Sequence, residues 1–212
     1  MTPASYPPHS PPPAGLPSTH VATIALTSTA GRLFAGSLSD TFAPPATHHY
    51  IYSPENPNRR PLPQANGITI SRLAFLLPFT VLLSLGFLLL ATPLTLHYPQ
   101  LFHLTSALVG TGYGGAFSLL PIIISVVWGV ENFGTNWGIV AMVPAAGAAL
   151  WGIVYSHGYQ SAADNGGGAA DGQCLGWKCY GVWAIGCTLS VWVAILALTL
   201  AWRGWKRRGI VV

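Results

Sequence analysis

Few side chains in this sequence are equipped for chemistry, and they fall in a handful of places. In Arg32–Asp40 (RLFAGSLSD), Gly36 precedes Asp40 by four residues and Arg32 lies one helical turn earlier. A glycine at that spacing lets a second helix approach, and the carboxylate then faces the positive end of that helix. A helix-ending aspartate with no special role fits the same pattern. The run Gly110–Trp128 (GTGYGGAFSLLPIIISVVW) holds Gly110, Gly112, Gly114 and Gly115, then Pro121. Each glycine weakens a helix by about 1 kcal/mol relative to alanine. The cluster therefore implies either close helix packing or a kink beside a cavity, which Tyr113 and Ser118 would line. Cys174 and Cys179 share one loop, in CLGWKC.

Other reactive groups are isolated. His48, His49, His97, His103 and His157 show no metal-ligand spacing, so no metal site is expected. Glu131 and Asn132 lie in a short polar turn (GVENFGTNWG), where Glu131 suits an interface or ion pair better than a coupling-ion site. The chain lacks a nucleophile elbow, a phosphate-binding loop, a zinc-protease motif and a dinucleotide fingerprint. No cofactor is implied. No paired carboxylates or nucleophile–base sets lie in its apolar stretches, which argues against an enzyme.

The elements that position these residues follow from the charges. Only nine basic and five acidic residues occur in 212, or 7%, against roughly 25% in an average soluble domain. No charge occurs between Arg72 and Glu131, between Glu131 and Asp164, or between Lys178 and Arg203. A membrane span needs about 20 apolar residues. The first interval holds two spans and each of the others one, at about 73–92, 101–128, 137–155 and 180–202. A fifth span is placed at about 19–38 (THVATIALTSTAGRLFAGSL). It is rich in Thr and Ser and contains Arg32, a residue tolerated near a helix end, where it can snorkel. The chain thus reads as an all-α membrane protein whose partner is the lipid bilayer. Its basic residues sit at span ends, so they do not signal nucleic-acid binding.

Basic residues also set orientation. With five spans and a cytoplasmic basic tail (204–212, following Arg203), the 39–71 loop with Arg59 and Arg60 is cytoplasmic too. Eight of nine basic residues then lie inside and only Lys178 outside. Trp202 and Trp205 would form an interface belt beside the tail. The Cys174–Cys179 loop faces outward or into a lumen, a compartment that permits a disulfide. A bridge between the two is expected, while Cys187 reads as a small buried hydrophobe. Residues 1–18 contain many prolines and no charge, and read as a disordered segment rather than a signal peptide.

Taken together, HVATIALTSTAGRLFAGSLSD, GTGYGGAFSLLPIIISVVWGVENFGTNWGI and CLGWKCYG resemble the C-terminal half of a major facilitator superfamily transporter. The nearest likeness is to the fungal monocarboxylate-transporter homologues, a group related to nodulin-like transporters. The likeness covers about residues 18–203. It implies a twelve-helix fold of two six-helix halves, in which the five spans are helices eight to twelve. Gly36, Leu38 and Asp40 then match the G-x-L-x-D part of the superfamily's loop motif, with a gating role. The basic R-x-G-R-R part is absent, TFAPP standing at Thr41–Pro45. The likeness further implies a substrate path touching Thr23, Thr27 and Arg32 with Tyr113 and Ser118, an unidentified small solute, a vacuolar membrane location, and an N-terminal half lying outside this chain. The expectation is of a fragment inactive alone. A small structural or accessory membrane protein is the alternative.

Overall fold

The computed structural model describes residues 16–42, 70–164, 174 and 176–207. The Pro-rich residues 1–15, most of the expected 39–71 loop, and residues 208–212 of the basic tail lie outside the described residues. The described residues form helices: α1 (Leu16–Phe42), α2 (Arg72–Ala91), the short α3 (Leu94–His97), α4 (Pro99–Trp128), α5 (Phe133–Ala162) and α6 (Gly181–Arg207). A 3-10 turn at Trp177–Cys179 precedes α6.

Among the described residues, four helices are long and apolar enough to cross a membrane: α2, α4 from Gln100, α5 and α6. Helices α2 and α4 share the first uncharged interval, and α5 and α6 take one each. Helix α1, at 27 residues, has the length but not the apolar content, because Thr, Ser and Gly occupy many of its positions. It is also longer than the 19–38 segment at both ends. Residues 39–42, read from sequence as loop, continue the helix, and so do residues 16–18.

The packing centres on α4. Helix α1 runs parallel to it in a constant register: His20 meets Ser106, Ile24 meets Gly110, Ser28 meets Gly114 and the Arg32 carbonyl meets Ser118. The α4 side of this seam is Ser106, Gly110, Gly114 and Ser118, a small residue at every fourth position. That spacing keeps one strip of the helix free of bulk, and two backbones can come together along it. A Cβ added to Gly114 would lie 2.8 Å from Ser28 Cα, and one on Gly110 would lie 2.8 Å from the Ile24 carbonyl oxygen. The approach is reciprocal at Gly31, where an added Cβ would lie 2.6 Å from the Thr111 carbonyl oxygen.

A second seam on α4 receives α2, antiparallel. A Cβ on Gly112 would lie 2.7 Å from the Phe79 carbonyl oxygen, and Gly115 is covered by the Phe79 ring. Helix α6 then packs on α2, where Trp192 Nε1 donates to Ser84 Oγ at 2.7 Å. The two alternatives for the glycine run thus separate: its four glycines serve packing, two toward each neighbour.

Two buried clusters close the ends of the bundle. At one end Ala35, Leu73, Phe75, Leu76, Phe79, Leu119 and Ile123 pack together. Trp202 and Trp205, expected at the membrane interface, lie partly buried against this cluster. Arg32, Arg72, Arg203, Lys206 and Arg207 belong to this basic end. At the other end, Leu90, Cys174, Cys179, Tyr180 and Ala184 form the disulfide end. Helix α5 differs from the rest, since none of its residues is buried.

The seams predict a contrast. Gly114→Leu should destabilise the bundle by about 3 kcal/mol, since a close-packed backbone contact must separate. Gly147→Leu on α5, with nothing within 4 Å of an added Cβ, should cost nothing and gain up to about 1 kcal/mol from helix propensity. Thermal unfolding of the two variants in detergent measures the difference.

Candidate functional site

The residues singled out in the sequence do not converge on one point. They spread along α1 and α4, several of them at the seam. Thr27 packs on Gly110 and its hydroxyl donates to the Thr23 carbonyl at 2.7 Å. Thr23 in turn donates to the Thr19 carbonyl at 2.8 Å. Both hydroxyls are half-buried and spend their protons within their own helix, as Ser and Thr do in apolar surroundings.

Ser118 does join two elements. Its hydroxyl donates to the Arg32 carbonyl at 3.3 Å, and a Cβ on Gly36 would touch Ser118 Oγ at 3.7 Å. Ser118, the Arg32 backbone and Gly36 therefore form one contact. The Arg32 side chain is exposed. Tyr113 is exposed too, with its ring 4.4 Å from that of Phe117. Leu38 packs against the cluster at the basic end, while Asp40 is exposed at the end of α1.

Asp40 has a neighbour that sequence reasoning used only as a charge marker. Arg72, the first residue of α2, is 7% exposed and lies within coulombic reach of the Asp40 carboxylate. The two are brought together because Ile70 N–H donates to the Phe42 carbonyl at 3.1 Å, which ties the end of α1 to the start of α2. Spacing of 32 residues carries no signal of such a pair. Beside it, Ser39 is fully buried with its hydroxyl unpartnered.

At the opposite end a second constellation escaped the sequence. His20 is buried, and its Nδ1 lies 3.1 Å from Ser106 Oγ. Its ring stacks on His103 at 4.2 Å and meets Phe102 edge-on at 4.4 Å. Only the α1–α4 register makes these neighbours.

The loop before α6 is anchored on three helices. Cys174 and Cys179 are joined as a disulfide with a Cα–Cα distance of 5.8 Å. The Cys174 N–H donates to Tyr159 Oη of α5 at 3.1 Å. Trp177 Nε1 donates to the Ala91 carbonyl, the last residue of α2, at 3.0 Å. Tyr180 Oη and Thr95 Oγ1 of α3 are 3.3 Å apart. Cys187, inside α6, is buried and free. No group of three or more potential metal ligands occurs among the described residues.

Because the disulfide fixes the loop that carries Trp177, replacing both Cys174 and Cys179 by serine should cost about 2 kcal/mol, as expected for closing so short a loop. Reductant should lower the melting temperature of the parent and leave the double variant unchanged.

No family model matches the chain, and no solved structure does either. Curated proteins do. The chain is 67% identical over 214 residues to the Aspergillus fumigatus protein named probable transporter mch1, covering 100% of this chain and 35% of that protein. The counterpart of the same name from Emericella nidulans is 66% identical, covering 94% of this chain and 32% of its own length. That of Neurospora crassa is 48% identical over 92% of this chain and 33% of its own length. The chain therefore spans about a third of the length of the relatives it matches. With its apolar helices and this similarity along its whole length, the chain is a multi-pass membrane protein and a member of the fungal monocarboxylate-transporter homologues.

Proposed function

We propose that this chain is the C-terminal helical bundle of a major facilitator transporter, one that moves a small solute by alternating access. The observation that carries the reading is that its relatives, matched along its whole length, are named as probable transporters. The helices α1, α2, α4, α5 and α6 are read as helices eight to twelve of the twelve-helix fold.

Helix α1 counts as a span in this reading although it is the least apolar. From His20 to Gly36 it lies parallel and in register with α4 from Ser106 to Ser118. It must therefore share the depth of that part of α4, which is inside an apolar helix. The polarity that weakens it as an isolated span is partly cancelled, because Thr23, Thr27 and Thr29 each donate to a carbonyl one turn earlier.

Helix α5 supports the rest. A helix without buried residues carries a strip of small ones, Gly134, Gly138, Ala141, Ala145, Ala148 and Gly152, at three- and four-residue spacing. Such a strip suits another helix. The remaining two thirds of the transporter would supply that helix and the second wall of the substrate path. Arg32 and Tyr113 are the exposed path candidates; Thr23, Thr27 and Ser118 support the wall. Asp40 with Arg72, next to Gly36 and Leu38, is read as the gating contact at the basic end. That end is assigned to the cytoplasm from its excess of Arg and Lys, and the membrane is read as vacuolar on the likeness to the family.

Labelling tests the path. In the full-length transporter, Tyr113→Cys should react with a membrane-impermeant maleimide, because its side chain would face water. Leu200→Cys, more exposed in the bundle (59% against 43%) but within the apolar run of α6, should not react. Equal labelling of the two would remove the path assignment. Proteoliposomes holding only this chain should show no solute uptake, and addition of the remaining segment should restore it.

A further inference from the structure

At the disulfide end, α1, α2, α4 and α6 separate around a cleft of about 430 Å³. That volume lies in the range of roughly 300–1,000 Å³ common to small-molecule sites. Its floor is set by two close glycine contacts. Below it, Gly110 holds α1 against α4, and Val109 packs on Gly86 of α2. Above that clasp, the rings of Phe87, Phe102 and Trp183 hold the helices apart and form the walls.

The cleft has few polar groups. His20, Thr105 and Ser106 lie together, the Trp183 indole carries the other polar atom of the lining, and no Asp, Glu, Lys or Arg lines it among the described residues. Thr105 Oγ1 donates to the Leu101 carbonyl at 2.9 Å, and Ser106 Oγ donates to the Phe102 carbonyl at 3.0 Å. With the serine proton committed, the 3.1 Å contact to His20 is made by the histidine's Nδ1–H. The Nε2 atom then carries a lone pair. At His20 the lining therefore offers an acceptor, and what it suits is a hydroxyl donor. It has no cation for a phosphate or carboxylate.

Depth is the second constraint. His20 is the fifth residue of α1 and Phe102 the fourth of α4, so both mark the end of the bundle. Val109 lies seven residues further along α4, about 10 Å deeper at 1.5 Å per residue. An occupant would hold its polar group near the membrane surface and its apolar body toward the middle, as a lipid of one leaflet does. The walls are aromatic rings and branched aliphatics. A rigid body fills such a cleft with less loss of conformational freedom than a flexible chain does.

The geometry points to a binding site for a hydroxyl-bearing ring lipid, a membrane sterol, with its hydroxyl at His20 and its rings extending to Val109. The site is separate from the proposed substrate path and does not depend on it.

The test uses the full chain in phosphatidylcholine nanodiscs with dehydroergosterol, whose excitation overlaps tryptophan emission. Energy transfer from the protein should saturate with sterol and fall in Trp183→Phe. The 3-methyl ether of the same sterol, which cannot donate, should bind about tenfold more weakly. Oleyl alcohol, with a hydroxyl on a flexible chain, should fail to displace the sterol. Ile24→Trp, which fills the cleft from an exposed position on α1, should abolish saturable transfer while the thermal transition is retained. Equal binding of the sterol and its ether would overturn the proposal, as would displacement by oleyl alcohol at equal concentration. The ether comparison needs no variant, so it decides the matter even if Ile24→Trp does not fold.

Discussion

The bundle depends on how closely α4 lets its neighbours approach. In a membrane the hydrophobic effect does not drive helices together, because lipid tails are as apolar as leucine. Association has to come from contact, and contact is best where backbones meet. Helix α4 provides this on two sides, with Gly110 and Gly114 toward α1 and Gly112 and Gly115 toward α2. The cost is intrinsic helix stability, about 1 kcal/mol for each glycine in water. The register gained sets which side chains of α1 and α4 meet. His20 meets Ser106, and Arg32 meets Ser118, only because both pairs keep the offset set at Gly110 and Gly114.

Polar groups follow a simple economy. Among the described residues, most Ser and Thr hydroxyls turn back on a carbonyl three or four residues earlier, which hides them within their own helix. A few tie helices together instead: Ser118 to Arg32, Trp192 to Ser84, Trp177 to Ala91 and Tyr180 to Thr95. The last two, with the disulfide, concentrate at one end. The other end is closed by apolar packing under the arginines. The molecule thus has a covalently braced end and an end of opposite character, where an exposed aspartate stands near a buried arginine.

Legibility in the sequence followed the range of each interaction. Four apolar helices could be read from the charge intervals, because span length and charge avoidance are local properties. The short α3 and the extension of α1 through Phe42 could not, since both rest on contacts made after folding. Helix α1 is the least legible of the long helices. Its Thr and Ser side chains count against a span until their bonds within the helix are seen. The cysteines were legible because five residues separate them. Tyr113 and Ser118 stand five residues apart in one glycine-rich run, yet Ser118 is at the α1 seam and Tyr113 is exposed beside Phe117. The pairs His20–Ser106 and Asp40–Arg72 left no trace in spacing. They are products of register, and register is set by the glycines.

The hydrogen bond from Ile70 to the Phe42 carbonyl has a consequence for how this protein can change. It joins the last residue of α1 directly to the residue two before α2, through main-chain atoms that only a proline at position 70 could disconnect. The two helices that enter the two seams of α4 are therefore pinned to each other as well as to α4. A slip of α1 along its seam has to carry the start of α2 with it, so the two registers are coupled and an error in one is felt in the other.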